Sequence, residues 1–278
     1  MFILEFLKVL FLGIVEGITE WLPISSTGHM ILVDEFLQLN VSEEFKEMFF
    51  VVIQLGAIAA VPFLFWDKLY PFSKKKSVEQ RKSTLTLWGK VIVGVLPAAI
   101  LGFLLDDFLD EHLYNFVVVA VALVVYGVLF IIIEKNRAEN NFRVESVYDL
   151  SYTDALKIGA FQVLSLIPGT SRSGSTILGG MLTGVSRTAS AEFSFFMAIP
   201  IMLGASGLKL LKFILEGFTA SLNEIILLLL GIVVSFVVSL FVIKFLMDFV
   251  KRHDFSAFGI YRIVLGAIVL VYYLVAVI

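Results

Sequence analysis

The chain has no cysteine, which removes disulfides and thiolate metal sites from consideration. Charge is scarce as well: 16% of the 278 residues are Asp, Glu, Lys or Arg, against 59% hydrophobic and 27 phenylalanines. With a mean hydropathy of +0.96, this is more apolar surface than one water-soluble core can hide. A soluble domain is therefore excluded, and lipid is the expected solvent. In that setting the net charge of −3 is no guide to partners. A basic leader is missing too. The opening "MFILEFLKVLFLGIVEG" carries Glu5 inside its apolar part, so it is expected to be retained structure and not a signal peptide.

What is present begins with uncharged stretches close to the roughly 20 residues that a spanning helix needs. Met48 to Trp66, Leu113 to Ile133 and Ile225 to Ile243 are the longest. Val91 to Leu105, Phe193 to Leu208 and Ile263 to Ile278 are shorter and can be lengthened by flanking Lys or Arg that snorkel. The positive-inside bias places the basic run Lys68 to Lys82 in the cytoplasm and reads it as a topology signal, not a nucleic-acid patch. Lys135, Arg137 and Arg143, then Lys244, Lys251 and Arg252, mark two further cytoplasmic loops, while the acidic "DDFLDEH", Asp106 to His112, suits an outside loop. Lys209 and Lys212 fit this scheme less well.

Sliding the sequence 146 positions along itself lays Gly13 on Gly159, Ser25 on Ser171, Gly28 on Gly174, Phe49 on Phe195 and Ile53 on Ile199, with Glu16 on Gln162. This is an internal repeat. The Gly and Ser matches mark the two segments of odd polar content, "EGITEWLPISSTGH" and "FQVLSLIPGTSRSGST". Three spanning segments separate the copies, an odd number, so the second copy is expected upside down relative to the first. Each polar segment has two short apolar arms around a Pro or Gly break, the pattern of a re-entrant helical hairpin whose irregular tip is tolerated at membrane depth only against protein or a wet cavity. The expectation is an all-α polytopic membrane protein. About six transmembrane helices and two re-entrant hairpins form an inverted-topology repeat in one domain over 1–278, with repeats at about 1–134 and 153–278. The hairpin tips should meet near the midplane.

The tips carry the chemistry. Glu16 and Glu20, four apart, share one helix face, and two carboxylates in low dielectric repel unless a cation or proton sits between them. With oxygen ligands only, the expected cation is Mg²⁺ or Ca²⁺. Ser25, Ser26 and Thr27 after Pro23 have an ordinary meaning as a helix N-cap. His29, three residues beyond Ser26, is near enough on a helical turn to reach its hydroxyl, which is the arrangement of an activated nucleophile. In the second tip Arg172 is the only permanent cation between Lys157 and Arg187, and its planar fork suits phosphate oxygens. Gly169, Ser171, Ser173, Gly174 and Thr176 frame it with hydroxyls and backbone N–H groups at a probable helix start, which favours anions. A plain ion pair of Arg172 with Glu16 or Glu20 is the alternative. Together the tips point to an anionic phosphate group held at membrane depth and attached to a lipid.

These two motifs, with "VVIQLGAI" at Val51 to Ile58 and "GVSRTASAEFSFFMAIP" at Gly184 to Pro200, resemble the undecaprenyl-diphosphate phosphatase family, tied to bacitracin resistance, from about Leu7 to the C-terminus. The resemblance implies a multi-pass enzyme of the bacterial inner membrane. It would remove one phosphate from a C55 lipid diphosphate and recycle the monophosphate carrier for peptidoglycan and other cell-wall polymers. It implies Glu16 and Glu20 as metal-binding acids, Ser26, His29, Glu20 and Arg172 as catalytic residues, and Arg172, Ser171, Ser173, Thr176, Gly169 and Thr27 around the phosphate. A divalent cation is the implied cofactor; the partners are a polyprenyl diphosphate and membrane lipid, with no nucleic acid, and a homodimer is admissible. Ser26, His29 and a metal-bound water all stand open as the nucleophile. A lipid flippase or transporter is the rival reading, since broken helices in inverted repeats are also a transporter signature.

Overall fold

In lipid every backbone polar group must find a partner inside its own segment, which favours helix throughout. The computed structural model describes residues 2–113, 115–136 and 142–277, and the side chains of 106, 107, 110, 276 and 277 are outside the description. Arg137 therefore falls outside it. Twelve helices follow one another among the described residues: α1 (Phe2–Thr19), α2 (Ser26–Phe36), α3 (Glu43–Val52), α4 (Gln54–Leu64), the single turn α5 (Trp66–Leu69) and α6 (Val78–Leu113). Then come α7 (Phe116–Asn136), α8 (Tyr152–Val163), α9 (Arg172–Leu182), α10 (Arg187–Leu215), α11 (Leu222–Phe249) and α12 (Ser256–Val277). The only strand-like feature there is an isolated bridge between Val144 and Val185.

Six stretches are long and apolar enough to cross a bilayer: Glu43–Leu64, Val78–Leu105, Phe116–Asn136, Arg187–Leu215, Leu222–Phe249 and Ser256–Val275. All six expected spans are present, the shorter ones extended into charged flanks. Their outward faces carry large apolar side chains such as Phe103, 80% exposed, and Phe241, 70% exposed. Apolar faces of this extent would be an aggregation hazard in water and are ordinary in lipid. The protein is a multi-pass membrane protein. One expectation needs correcting: Asp106 to His112 is not a loop but the last turns of α6. No Gly or Pro interrupts the chain between Gly102 and Leu113, where α6 ends, and Asn115 Oδ1, which accepts from Val118 N at 3.0 Å, starts α7.

Polar contacts gather the helix ends into two groups. At one end Lys68 pairs with Glu192 at 2.7 Å, Tyr148 Oη donates to Lys68 O, and Lys90 Nζ donates to Tyr148 O at 2.7 Å. There too Glu134 accepts from Arg187 Nε at 3.0 Å and from Phe255 N at 3.0 Å, and Arg143 pairs with Asp154 near the start of α8. At the other end Lys8 donates to Gln38 O at 2.6 Å and Asn40 N donates to Glu5. Lys209, the awkward lysine of the topology reading, pairs there with Glu47 at 2.8 Å. A surface groove of about 100 Å³ there is lined by Lys209 and Lys212 together with Glu44, Glu47 and Glu216.

Helix α1 and α2 form one hairpin and α8 and α9 another, each packed arm on arm. The open end of the first lies with Gln38 and Asn40, that of the second with Arg143. Their first arms are seated alike: α1 packs on α11 and α8 on α6. Small residues allow this. A Cβ on Gly159 would stand 2.1 Å from Gly94 O, backbone against backbone, and one on Gly13 3.1 Å from Gly231 O.

Candidate functional site

Both hairpins break and restart in the same way. Helix α1 ends at Thr19 and α2 begins at Ser26, capped by Ser25, whose Oγ accepts from Gly28 N at 3.3 Å. Helix α8 ends at Val163, a 3₁₀ turn covers Leu164–Leu166, and α9 begins at Arg172, capped by Ser171, whose Oγ accepts from Gly174 N at 3.1 Å. Ser25 and Ser171 both stand in the left-handed region, at φ 75° and 73°. For a residue with a side chain this costs about 1–3 kcal/mol each and persists only where the surroundings enforce it. The result is that each hairpin tip presents a helix N-terminus, whose positive dipole end favours anions.

The tips are joined by three contacts. Arg172 Nη2 lies 3.0 Å from Glu20 Oε1. Ser173 Oγ donates to the backbone oxygens of Glu20 and Leu22 at 3.3 and 3.2 Å. The third comes from Arg262 on α12, which is 0% exposed. Its Nη1 donates to Pro23 O at 3.1 Å, and its Nη2 donates to Gly169 O and Thr170 O at 2.8 and 2.9 Å. One guanidinium thus holds the backbone of both tips. The sequence reading missed it, having started the last apolar stretch at Ile263; the signal was a cation about two turns inside an otherwise apolar helix.

Beside the tips lies a cavity of about 160 Å³. Its polar base is Glu20, Ser26, Thr27, Gln54, Gln162 and Arg172, with Ser171 and Gly169 at its edge. Its apolar wall is Ala98, Leu166, Ile201, Met202 and Ala205. Ser26 Oγ donates to Glu20 Oε2 at 2.6 Å. Arg172 Nη1 donates to Ser194 O at 2.8 Å, its plane lies 5.8 Å over the Trp21 ring, and its Nε is buried with no partner.

Several expected residues are placed otherwise. His29 makes no hydrogen bond to Ser26: Nδ1 meets Ser25 O and Nε2 meets Tyr261 Oη, both at 2.7 Å. A carbonyl can only accept, so Nδ1 carries the proton, and the neutral ring's one lone pair, on Nε2, is taken by the tyrosine hydroxyl. His29 thus buttresses the strained Ser25, and the carboxylate that meets the Ser26 hydroxyl is Glu20. Ser173 and Thr176 also face inward. The Thr176 hydroxyl contacts Arg172 O and Ser194 Oγ at 2.8 and 2.7 Å, so both side chains lock the tip and do not line the cavity. Gly169, at φ +89°, has no room for a Cβ: one would stand 2.5 Å from Val119 O. Its contribution is backbone.

Glu16 is 1% exposed and its Oε1 has no partner. Among the described residues no group of three or more His, Asp or Glu could form a ready metal cage. A buried orphan carboxylate oxygen one turn before Glu20 still suits a hard divalent cation, because Mg²⁺ in particular takes one or two carboxylates and completes its shell with water and phosphate oxygens.

A family model described as Bacitracin resistance protein BacA matches residues 9–268. The chain is 60% identical over 269 residues to an undecaprenyl-diphosphatase of Enterococcus faecalis, covering 96% of each. To one from Acetivibrio thermocellus it is 58% identical over 271 residues, and to one from Desulfitobacterium hafniense 55% over 274, covering 98% of each chain in both cases.

Proposed function

The chain belongs to the bacitracin resistance protein BacA family, and from that premise we propose that it is an inner-membrane phosphatase. It hydrolyses undecaprenyl diphosphate to the monophosphate and phosphate, and so recycles the carrier lipid for peptidoglycan and other cell-wall polymers. The observation that carries this reading is the run Ser26, Glu20, Arg172, linked at 2.6 and 3.0 Å across two hairpins 152 residues apart in sequence. A hydroxyl, a carboxylate that takes its proton and a forked cation are what phosphoryl transfer needs.

In this mechanism Glu20 accepts the Ser26 proton as Oγ attacks the terminal phosphorus. The anhydride bond breaks and the lipid monophosphate leaves. The leaving phosphate oxygen takes that proton from Glu20; water then attacks the serine phosphoester, Glu20 accepts the water proton and returns it to Ser26 Oγ as inorganic phosphate leaves. Arg172 and the two helix N-termini hold the non-bridging oxygens. Glu16 and Glu20 would hold the divalent cation, which supplies positive charge against the diphosphate. His29 and Tyr261 fix Ser25 and hence the attitude of Ser26.

The cavity has the size for a head group: a buried water takes roughly 10–15 Å³ by this measure, so about 160 Å³ suits a diphosphate with some of its water but no long prenyl chain. The prenyl chain is proposed to leave past Ala98, Ile201, Met202 and Ala205. These sit in the halves of α6 and α10 nearer the Glu47–Lys209 end, away from the basic loops, which supports access from the outer face.

The test is phosphate release from a lipid diphosphate by the purified chain in detergent, with Mg²⁺ or Ca²⁺ and with chelator, followed by acid quench to trap phosphoserine at Ser26. Release that needs the cation, with a trapped phosphoserine, is expected. Lipid movement across liposomes without any phosphate release would replace the enzyme reading by the flippase.

A further inference from the structure

The side chain of Gln162 on α8 is 1% exposed, and neither Oε1 nor Nε2 has a hydrogen-bond partner. Turning the amide over changes nothing, since both atoms are unpaired. Buried carboxamides are almost always satisfied, and an unpaired one in low dielectric is costly. Gln162 lines the same cavity as Arg172, Ser26 and Glu20, and there Arg172 Nε is likewise buried without a partner. Two residues that line one cavity thus each carry an unpaired N–H donor. A cation alone cannot satisfy them, because neither nitrogen has a lone pair to give. An anion rich in acceptor oxygens can.

By the internal repeat Gln162 is also the counterpart of Glu16. A carboxylate at this position would add a second acid to the cavity that Glu20 lines and repel an anionic ligand. The amide has the same shape without the charge, and adds donors.

We propose that Gln162 is a substrate-binding residue whose Nε2–H donates to a non-bridging oxygen of the phosphate held by Arg172. This rests on the phosphatase reading for the identity of the ligand, and the two are separable by experiment. Inorganic diphosphate is the probe, titrated calorimetrically into the purified full chain in detergent with Mg²⁺, for the parent, Gln162→Leu and the isosteric Gln162→Glu. Thermal melting is recorded beside it.

The Leu variant should bind about tenfold more weakly, the equivalent of one hydrogen bond, and the Glu variant more weakly still. The Leu variant should melt no lower than the parent, since two unpaired polar atoms have gone; a structural glutamine would lower melting and leave affinity alone. Affinities of both variants within twofold of the parent, or no binding of diphosphate by the parent, would overturn the proposal. Should binding depend on Gln162 while the parent releases no phosphate from lipid diphosphate, the ligation stands and the phosphatase reading falls. Release with affinity indifferent to Gln162 means the reverse.

Discussion

Replacing Arg262 by Met keeps the apolar stem and deletes the guanidinium that bonds Pro23, Gly169 and Thr170. Three charge-assisted hydrogen bonds at about 1.5–3 kcal/mol each would be lost, and three buried carbonyls left bare. Against this, the parent bears the desolvation of a fully buried cation, an effective penalty of several kcal/mol, partly met by the Tyr126 ring 5.5 Å away. The balance is a destabilisation of about 2–4 kcal/mol. For a chain of this size that lowers the melting temperature by roughly 5–15 °C. Activity should fall further than melting explains. The two tips would no longer share a clamp, and a misplacement of about 1 Å between Ser26 and Arg172 costs about a hundredfold in rate. Arg262→Lys should do little better, because one ammonium cannot reach both tips as Nη1 and Nη2 do. The assay is scanning fluorimetry in detergent together with phosphate release well below the melting point. An Arg262→Met protein that melts within 2 °C of the parent, with 2 °C taken as roughly the smallest shift worth about 1 kcal/mol, and keeps the parental rate would refute the clamp.

Ser26→Ala should cut phosphate release by at least about a thousandfold with melting unchanged and no trapped phosphoserine; a variant retaining a substantial fraction of the rate would point to a water nucleophile. Arg172→Lys keeps the charge but cannot serve Glu20 and Ser194 at once, so release should fall about a hundredfold and inhibition by inorganic phosphate should weaken, as dose–response curves would show. Gly159→Ala drives a Cβ into Gly94 O, costing about 1–3 kcal/mol or more, and should lower melting and yield of folded protein while the folded fraction keeps its rate per molecule. Chelation should abolish release and added Mg²⁺ or Ca²⁺ restore it, whereas full activity in chelator would remove the cation from Glu16 and Glu20.

Much of the architecture could be read along the chain because lipid makes the code simple: a run of about 20 apolar residues crosses, and a polar break within short arms folds back. The six spans and the two capped tips are local properties. The Ser25 and Ser171 caps were visible as one repeat, since each Ser is followed three residues on by the Gly whose N–H it accepts from. The acidic stretch Asp106 to His112 was misread because charge was taken as loop, when charged residues are themselves compatible with helix.

Side-chain direction was not legible. Spacing placed His29 within reach of Ser26, but the ring turns to Ser25 O and Tyr261, a partner 232 residues away. Spacing likewise made Ser173 and Thr176 look like phosphate ligands, when their hydroxyls are consumed in tying the tips together. Arg262 was passed over although a cation inside an apolar helix marks it, and Gln162 was seen only as the repeat counterpart of Glu16, because the partners of neither are near it in sequence.

The amino-acid sequence alone determined the solvent, the number of spans, the repeat and the residue types at each tip, since these depend on hydropathy and on bonds within a few residues. Only the tertiary structure decided which carboxylate meets Ser26, which donors stay unpaired and which buried guanidinium clamps the tips. Those outcomes depend on how distant helices pack, and in a low-dielectric interior each polar atom's partner is fixed by that packing and not by its neighbours in the chain.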